Sequence, residues 1–290
     1  MGDQDKKKKS FSLSSLPRLR WNILDMVNIV GGDSVPTYFF QDIDMTWAEE
    51  LRATLAKNGV RVTATAFLLK AIAIAQRAHP DTRTAMLPFG QTVVFNNIVA
   101  GFTVERIIGN QPTLFFGAIE EPDTKSITQI SEELRAHAEA DVEKVWHMDL
   151  QHKFTWMPWV LRRLILWVGL NFWPGLRVKV MGATFGLSSL GKFGLKAMIP
   201  PCVSTSTFGI GSIEKRPVVR DDKIEIRKMM TLTLNFDHRI IDGAPAARFL
   251  NDVQKLLEGG LEKYLQEELH EIFAKVSPAN NELNLAAVDS

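Results

Sequence analysis

One histidine set among two acidic residues and an arginine, in NFDHRIIDGAPAARFL (235–250), is the arrangement in this chain best placed for acid–base chemistry. His238 follows a strand-like run and precedes a helix-like one, a position from which loops carry side chains off a rigid scaffold into a site. An imidazole with an ordinary pKa near ~6.5 can take up and return a proton at neutral pH. Asp237, Arg239 and Asp242 lie beside it, and Gly243 reads as permitting a tight turn into the helix. A Gly- and Ser-rich stretch about fifty residues upstream, GATFGLSSLGKFG (182–194), supplies the hydroxyls of Ser188 and Ser189. Taken alone, a histidine between Asp and Arg is more often structural, and serines in such a stretch more often form a turn.

The elements that must position these residues are legible. PTYFFQDIDM (36–45) alternates apolar and polar residues and reads as a strand. Thr46 reads as a helix cap with Glu49 completing a capping box, before LRATLAK and a stop at Gly59. TATAFLLKAIAIAQRA (63–78) reads as a largely buried helix ending at His79-Pro80. Segments 91–105 and 111–120, rich in Val, Phe and Thr, read as strands, and 126–146 as an amphipathic helix capped by Ser126 or Thr128. Strand 203–213, a hairpin turn at RDDK (220–223), strand 228–236 and a helix from near Pro245 complete the series. Strands interleaved with helices and hairpins predict a mixed sheet covered by helices.

Composition removes several classes of function. Lys+Arg 34 against Asp+Glu 33 leaves +1, too balanced for a chain whose main work is neutralising phosphates, so no nucleic-acid partner is expected. Cys202 is the only cysteine, which excludes an internal disulfide and a Cys-based zinc site; no histidine spacing suggests another metal, and a reducing cytoplasm is the expected location. Residues 1–17 read as a basic extension, 18–265 as a single domain and 266–290 as an acidic tail. Five of the seven tryptophans fall in a Trp-rich insertion, 146–176. Arg162-Arg163 interrupts its apolar run, which excludes a membrane span. The block is expected to be buried in the domain or at a subunit contact, with Trp159, Leu166 and Trp167 covered by protein rather than by a membrane; the alternative, given Trp and Arg at its edges, is an interfacial helix lying on a membrane.

DHRIIDGAPAARFL resembles the D-H-R-x-x-D-G-A-x-A-A-R-F-L signature of the acyltransferase component of 2-oxoacid dehydrogenase complexes, to which chloramphenicol acetyltransferase is a more distant relative. TFGLSSLGKFG is similar to the family's T-F-T-I-S-S-L-G-x-x-G, and PTYFFQDIDMTWAEELR to its P-H-F-Y-L-x-x-D-V-D-M-T-x-L-x-x-L-R. VTATAFLLKAIAIAQRAHPD resembles V-T-D-F-L-V-K-A-A-A-L-A-L-x-x-H-P. These four segments stand in the family's order within residues 18–258. The resemblance implies an α/β two-layer sandwich of the chloramphenicol acetyltransferase kind, with acyl-CoA as co-substrate. It implies His238 as general base, Ser188 as oxyanion donor with Ser189 as the register alternative, and Asp242 as an orienting carboxylate. Arg20 is the candidate ion-pair partner of Asp242, because RWNI resembles the start of the family's R-x-x-I-A element; Asp237 and Gly243 are expected to support the site structurally. A homotrimer is implied too, with the histidine of one subunit facing the serine of its neighbour.

The chain also departs from the family. About 35 residues precede the first family-like strand, too few for a lipoyl domain, and no Asp-Lys-Ala motif occurs, so no lipoyl group is expected on this chain. The family's P-V-I-R segment is replaced by GNQPTLFFGAIEEPDTKS, and the Trp-rich block is longer than the usual linker. The expectation is a free-standing CoA-dependent acyltransferase that moves an acyl group, by expectation acetyl, to a thiol or hydroxyl on a small molecule or carrier-bound acceptor. The alternative is a catalytically idle scaffold, which would have no need of Ser188, His238, Asp242 and Gly243 together.

Overall fold

The computed structural model describes residues 16, 20–108, 111–141, 144, 146–173 and 183–286. The basic extension 1–17 therefore lies outside the described residues except for Leu16. Helix α1 (Arg20–Val30) leads into strand β1 (Pro36–Asp44), followed by α2 (Thr46–Lys57) and α3 (Ala64–Ala78). A short pair, β2 (Thr84–Met86) and β3 (Thr92–Val94), precedes β4 (Val99–Ile108) and β5 (Gln111–Glu120). Then come α4 (Ile127–Glu139), α5 (Trp146–Thr155), α6 (Trp159–Phe172), β6 (Phe185–Ser189), β7 (Ser206–Ile210) and β8 (Glu214–Arg220). β9 (Lys223–Asp237), α7 (Gly243–Lys255) and α8 (Glu262–Ala286) close the chain.

Seven strands form one mixed sheet in the order β1-β9-β7-β6-β4-β5, with β8 also on β9. β6 runs parallel to both β4 and β7, and every other pairing is antiparallel. The fifteen-residue β9 serves three partners: β1 along one edge, and β8 then β7 along the other. Its sequence TLTLNFD alternates strictly, so Leu232, Leu234 and Phe236 face the helices while Thr231, Thr233, Asn235 and Asp237 face the other way. Phe185, Leu187, Phe208 and Ile210 join the helix-side core with Phe67, Leu68 and Ile72 of α3 and Phe249 and Val253 of α7. Gln76 on α3 pins that helix to the sheet: its fully buried amide donates to Thr82 O and Ser206 Oγ and accepts from Thr184 Oγ1. The reading as helices packed on a mixed sheet holds.

Several local expectations shift. Thr46 lies inside the first turn of α2 rather than capping it: its N–H donates to Asp44 Oδ1, and its Oγ1 accepts from Lys228 N. The stop at Gly59 stands, with φ +78°. The strand expected over 91–105 divides into β3 and β4, and the helix expected to run to 146 ends at Glu139. Its cap is Ser126, which accepts from Gln129 N while the Gln129 side chain accepts from Ser126 N. The region expected as an acidic tail is helical through Ala286, with Leu269 and Ile272 packed on the core. Glu268 accounts for this, because its carboxylate accepts from Ile127 N, Thr128 N and Thr128 Oγ1 and so serves the orphan donors at the start of α4.

The described part of the Trp-rich insertion, 146–173, folds as α5 and α6 beyond the β5 edge. The Gln151 amide donates to Phe116 O and accepts from Phe116 N, completing the ladder of an edge strand as a neighbouring strand would. Cover by the domain's own core fails for Trp159 and Trp167, which are 59% and 51% exposed in the single chain, while Leu166 is half-buried; cover by a neighbouring subunit stands as the expectation. The core is missed because of Arg162, whose Nε donates to the buried carboxylate of Asp25 on α1 at 2.5 Å, with Arg163 Nε 3.4 Å from the same group. A buried charge must be paired, and this pairing turns the arginine inward and the indoles outward.

Candidate active site

His238 is delivered by the exit from β9. Its backbone N–H donates to Val35 O at 2.8 Å, and Ile240 N and Ile241 N both donate to Asp237 O, folding residues 237–241 into a tight turn. The Asp237 side chain fixes that turn: Oδ1 accepts from Val35 N and Arg239 N, and the carboxylate takes Arg239 Nε and Nη2 in a fork-to-fork pair at 2.6–3.0 Å. Burial pushes the Asp237 carboxyl upward, but the Arg239 side chain and the two backbone donors outweigh it and hold it below the usual carboxylate range. Asp237 is thus a positioning group.

The His238 ring stands free of that clamp. Its side chain is 43% exposed and its centroid lies 5.9 Å from the Phe236 ring. Asp242 Oδ1 is 3.8 Å from Nδ1, an ion-pair distance rather than a hydrogen bond. Asp242 stands at the N-cap of α7 without making a side-chain cap bond, and at 86% exposure its carboxylate faces solvent. Nε2 is not engaged by any described residue, which leaves that nitrogen open to an incoming group.

Two expectations about the support of this site need correction. Among the described residues no ion pair joins Arg20 to Asp242. α1 packs on α5, α6 and β5, and its C-terminal end, not Arg20, approaches β1; the eleven-residue helix separates Arg20 from that end by ~15 Å. Gly243 also does not need to be glycine for the turn. It is the first residue of α7, its φ is not positive, and a Cβ there would meet only Phe39 Cζ at 3.9 Å.

Ser188 and Ser189 end β6 with side chains on opposite faces. Ser188 shares the polar face with Thr103, whose Oγ1 lies 3.3 Å from its Oγ. Ser189 faces the helix side, where a cleft of about 460 Å³ opens between α2, α3 and the ends of β6 and β7, with Arg52, Lys215 and Lys228 among its walls. The structure does not bring Ser188 to His238 within one chain. Ser188 lies opposite Gly209, which lies opposite Thr233, five residues before His238. At ~3.3 Å per residue along β9 and ~4.8 Å per strand step, the two Cα atoms are about 19 Å apart.

One part of the site left no obvious mark in the sequence. Segment 195–203 straps the polar face of the sheet, where Thr233 Oγ1 donates to Met198 O, Asn235 Nδ2 to Pro200 O and Ser212 N to Leu195 O. The strap lies so close that a Cβ on Gly211 would sit 2.0 Å from Lys196 O, and one on Gly209 2.3 Å from Met198 O. The pair of glycines in FGIGS was the available signal. Cys202, on the strap, is no nucleophile, because burial pushes its thiol up to about 11.

The chain matches the model of the family described as 2-oxoacid dehydrogenases acyltransferase (catalytic domain) over residues 18–152 and 177–265, passing over 153–176. It is similar to the dihydrolipoyllysine-residue acetyltransferase component of the pyruvate dehydrogenase complex of Zymomonas mobilis, at 30% identity over 72% of this chain and 40% of that protein. It resembles the dihydrolipoyllysine-residue succinyltransferase component of the 2-oxoglutarate dehydrogenase complex of Haemophilus influenzae at 24% identity, over 84% of this chain and 53% of that one. The chain thus spans about half or less of the length of these relatives. The cubic core of a pyruvate dehydrogenase multienzyme complex has the same fold, with a TM-score of 0.67 at 24% identity over 91% of this chain and 98% of that one. With β1, β6 and the β9–α7 turn all inside the matched segments, the chain belongs to the 2-oxoacid dehydrogenase acyltransferase (catalytic domain) family.

Proposed function

We propose that the chain is a CoA-dependent acyltransferase in which His238 is the general base and Ser188 of a neighbouring copy the oxyanion donor. The observation that carries this reading is His238 itself: an exposed imidazole on a backbone clamped by Asp237, Arg239 and Val35, inside the family's matched segment. His238 takes the proton from an acceptor thiol or hydroxyl as that atom attacks the thioester carbonyl of acyl-CoA. Ser188 Oγ donates to the oxygen that becomes negative. When the tetrahedral intermediate collapses, the carbon–sulfur bond to CoA breaks and His238 returns the proton to the departing thiolate. Base catalysis of this kind contributes typically ~10²–10⁴-fold, and one oxyanion donor ~2.7–4 kcal/mol.

The ~19 Å within one chain supports an assembly in which two copies share the site. Azotobacter vinelandii dihydrolipoamide acetyltransferase, studied for the roles of a serine, a histidine and an asparagine in its mechanism, has the serine 52 residues before the histidine and the asparagine four after it. Ser188, His238 and Asp242 are spaced 50 and four. On this reading the assembly is a homotrimer or is built from trimers.

The test supplies acetyl-CoA with dihydrolipoamide and follows acetyl-dihydrolipoamide chromatographically. Transfer by the full chain, its loss in Ser188→Ala and in His238→Ala, and partial recovery when the two inactive variants are unfolded and reassembled together are the expected results. Near wild-type turnover by His238→Ala would sink the reading. An active monomer in sedimentation would remove the shared site.

A further inference from the structure

Resting on the reading in which two copies share the active site, we propose that Phe89, at the tip of the β2–β3 hairpin, seats against the neighbouring copy on the apolar surface around that copy's Ser188. Phe89 is 91% exposed, more than any other large apolar side chain among the described residues. Its backbone holds φ +62° and ψ +26°, and Gly90 follows at φ +74°. Gln91 N donates to Pro88 O across that pair, which makes residues 88–91 a type I′ turn. Such turns favour Asn, Asp or Gly at the first central position, because a bulky side chain is strained in the left-handed region. β2 and β3 pair in register from Thr84–Val94 to Met86–Thr92, and Leu87 N donates to Gln91 O, so the turn is firmly held. A phenyl ring kept at a strained position and left uncovered by its own chain is placed to meet another surface.

The root of the hairpin identifies the occupant. Thr205 Oγ1 donates to Thr84 O, while Thr205 O accepts from the N–H of Asp237, the residue before His238. Ser206 Oγ donates to Thr82 O, and Ser206 pairs with Phe236. The hairpin therefore springs from the end of the sheet that delivers His238. Thr84 and Phe89 are five residues apart, so the tip lies within ~17 Å of that root. A copy that brings its Ser188 to this His238 comes within reach of Phe89, and the surface it presents is apolar. Ser188, Gly209, Thr233 and Phe40 stand in one row across the sheet, and the 195–203 strap lies over that same face. Lys192 reaches Glu105, two residues beyond Thr103, which brings Phe193 to the same surroundings. Phe40, Phe193, Leu195 and Ile199 are 44–59% exposed in the single chain. Residues 84–95 carry no charged side chain, so burial rather than ion pairing must hold the tip. That suits an apolar seat on a second copy and not an anionic lipid surface.

Phe89→Asn tests the seat, because it supplies a residue the turn prefers and removes the ring. Sedimentation of the full chain over a concentration series is expected to show assembly weakened about tenfold or more, the ratio that burial of one phenyl ring supports. Urea unfolding at a dilution where both proteins are monomeric should be unchanged or shifted to higher urea, since the strain at position 89 is relieved. p-Benzoylphenylalanine placed at position 89 should, on irradiation, join two chains, with the new bond in residues 188–199 or at Phe40 of the second chain. Assembly of Phe89→Asn as tight as wild type, or a cross-link that stays within one chain or falls elsewhere, would overturn the proposal. Mixing Ser188→Ala and His238→Ala chains separates it from the shared site. Recovered transfer in that mixture, with Phe89→Asn assembling normally, removes the hairpin's role alone, whereas a chain that is monomeric at every concentration removes both.

Discussion

Removing the Asp237 carboxylate tests whether the clamp beneath His238 is built as described. Asp237→Ala takes away the acceptor of Val35 N, Arg239 N and both guanidinium nitrogens that Arg239 presents. Two charge-assisted bonds at ~1.5–3 kcal/mol each set an upper bound of about 6 kcal/mol. Arg239 is 30% exposed and regains water when its partner is gone, which brings the expected loss to about 2–4 kcal/mol. Asp237→Asn keeps the shape and loses the ionic part, for about 1–2 kcal/mol. The pH dependence fixes the cause. The folded-state pKa of Asp237 is depressed, so its stabilisation is full above the unfolded value near ~3.9 and is lost as pH falls through the folded value. Urea unfolding at pH 7 should therefore separate wild type from Asp237→Asn, and the gap should close as pH falls below ~4. A gap of the same size at both pH values, or an Asp237→Ala protein within ~0.5 kcal/mol of wild type, would refute the clamp. With the clamp gone, kcat should fall while the His238 side chain itself is untouched.

Other substitutions probe the neighbouring claims. Ser188→Ala should lower kcat by ~10²–10³-fold with little change in KM, because the oxyanion exists only after attack; an equal loss in Ser189→Ala, whose side chain faces the opposite side of the sheet, would put the register off by one. Gly243→Ala should unfold at the same or a slightly higher temperature, gaining up to ~1 kcal/mol from a stiffer unfolded chain, and a marked loss would mean that the turn needs glycine after all. Asp25→Asn leaves Arg162 buried beside a neutral partner and should cost about 3–5 kcal/mol in denaturant unfolding; a variant as stable as wild type would show that the pair does not orient α6.

Much of this architecture is legible because the signals are local. The alternation in TLTLNFD and PTYFFQDID fixes which face of each strand meets the helices, and Thr63 and Ser126 cap helices by the ordinary side-chain route. Hairpin 220–223 is readable too, although Asp221 and Asp222 adopt φ of +48° and +60° without glycine. The family resemblance nominated His238, Ser188 and Asp242 as the candidates proposed above, and periodicity alone could not have chosen them over a turn and a structural histidine. What escaped depends on distant partners. Arg162 is buried because its partner Asp25 comes from 137 residues away, and composition could not show that the chain's own core would leave the neighbouring indoles uncovered. Segment 195–203 has no periodicity to announce it, and its hold on the sheet becomes visible only when Thr233 and Asn235 are placed beneath it. Glu268 caps a helix 140 residues upstream, which no local reading of an acidic run reveals.

The position of β9 has a consequence for how the chain is made. Pro36 pairs with Asp237 across some two hundred residues, and β7 also finds its antiparallel neighbour only in β9. At ~5–20 residues per second, a ribosome takes roughly ten to forty seconds to deliver β9 after β1 has emerged. Throughout that interval β1 has no strand to pair with, and its apolar residues await a core that does not yet exist. Such non-local closure is slow and exposes strand edges to other nascent chains. The His238 turn, formed from residues on both sides of that gap, is consequently among the last features to be assembled. Yield in the cell should depend on chaperone supply and growth temperature more steeply than the stability of the finished fold would suggest.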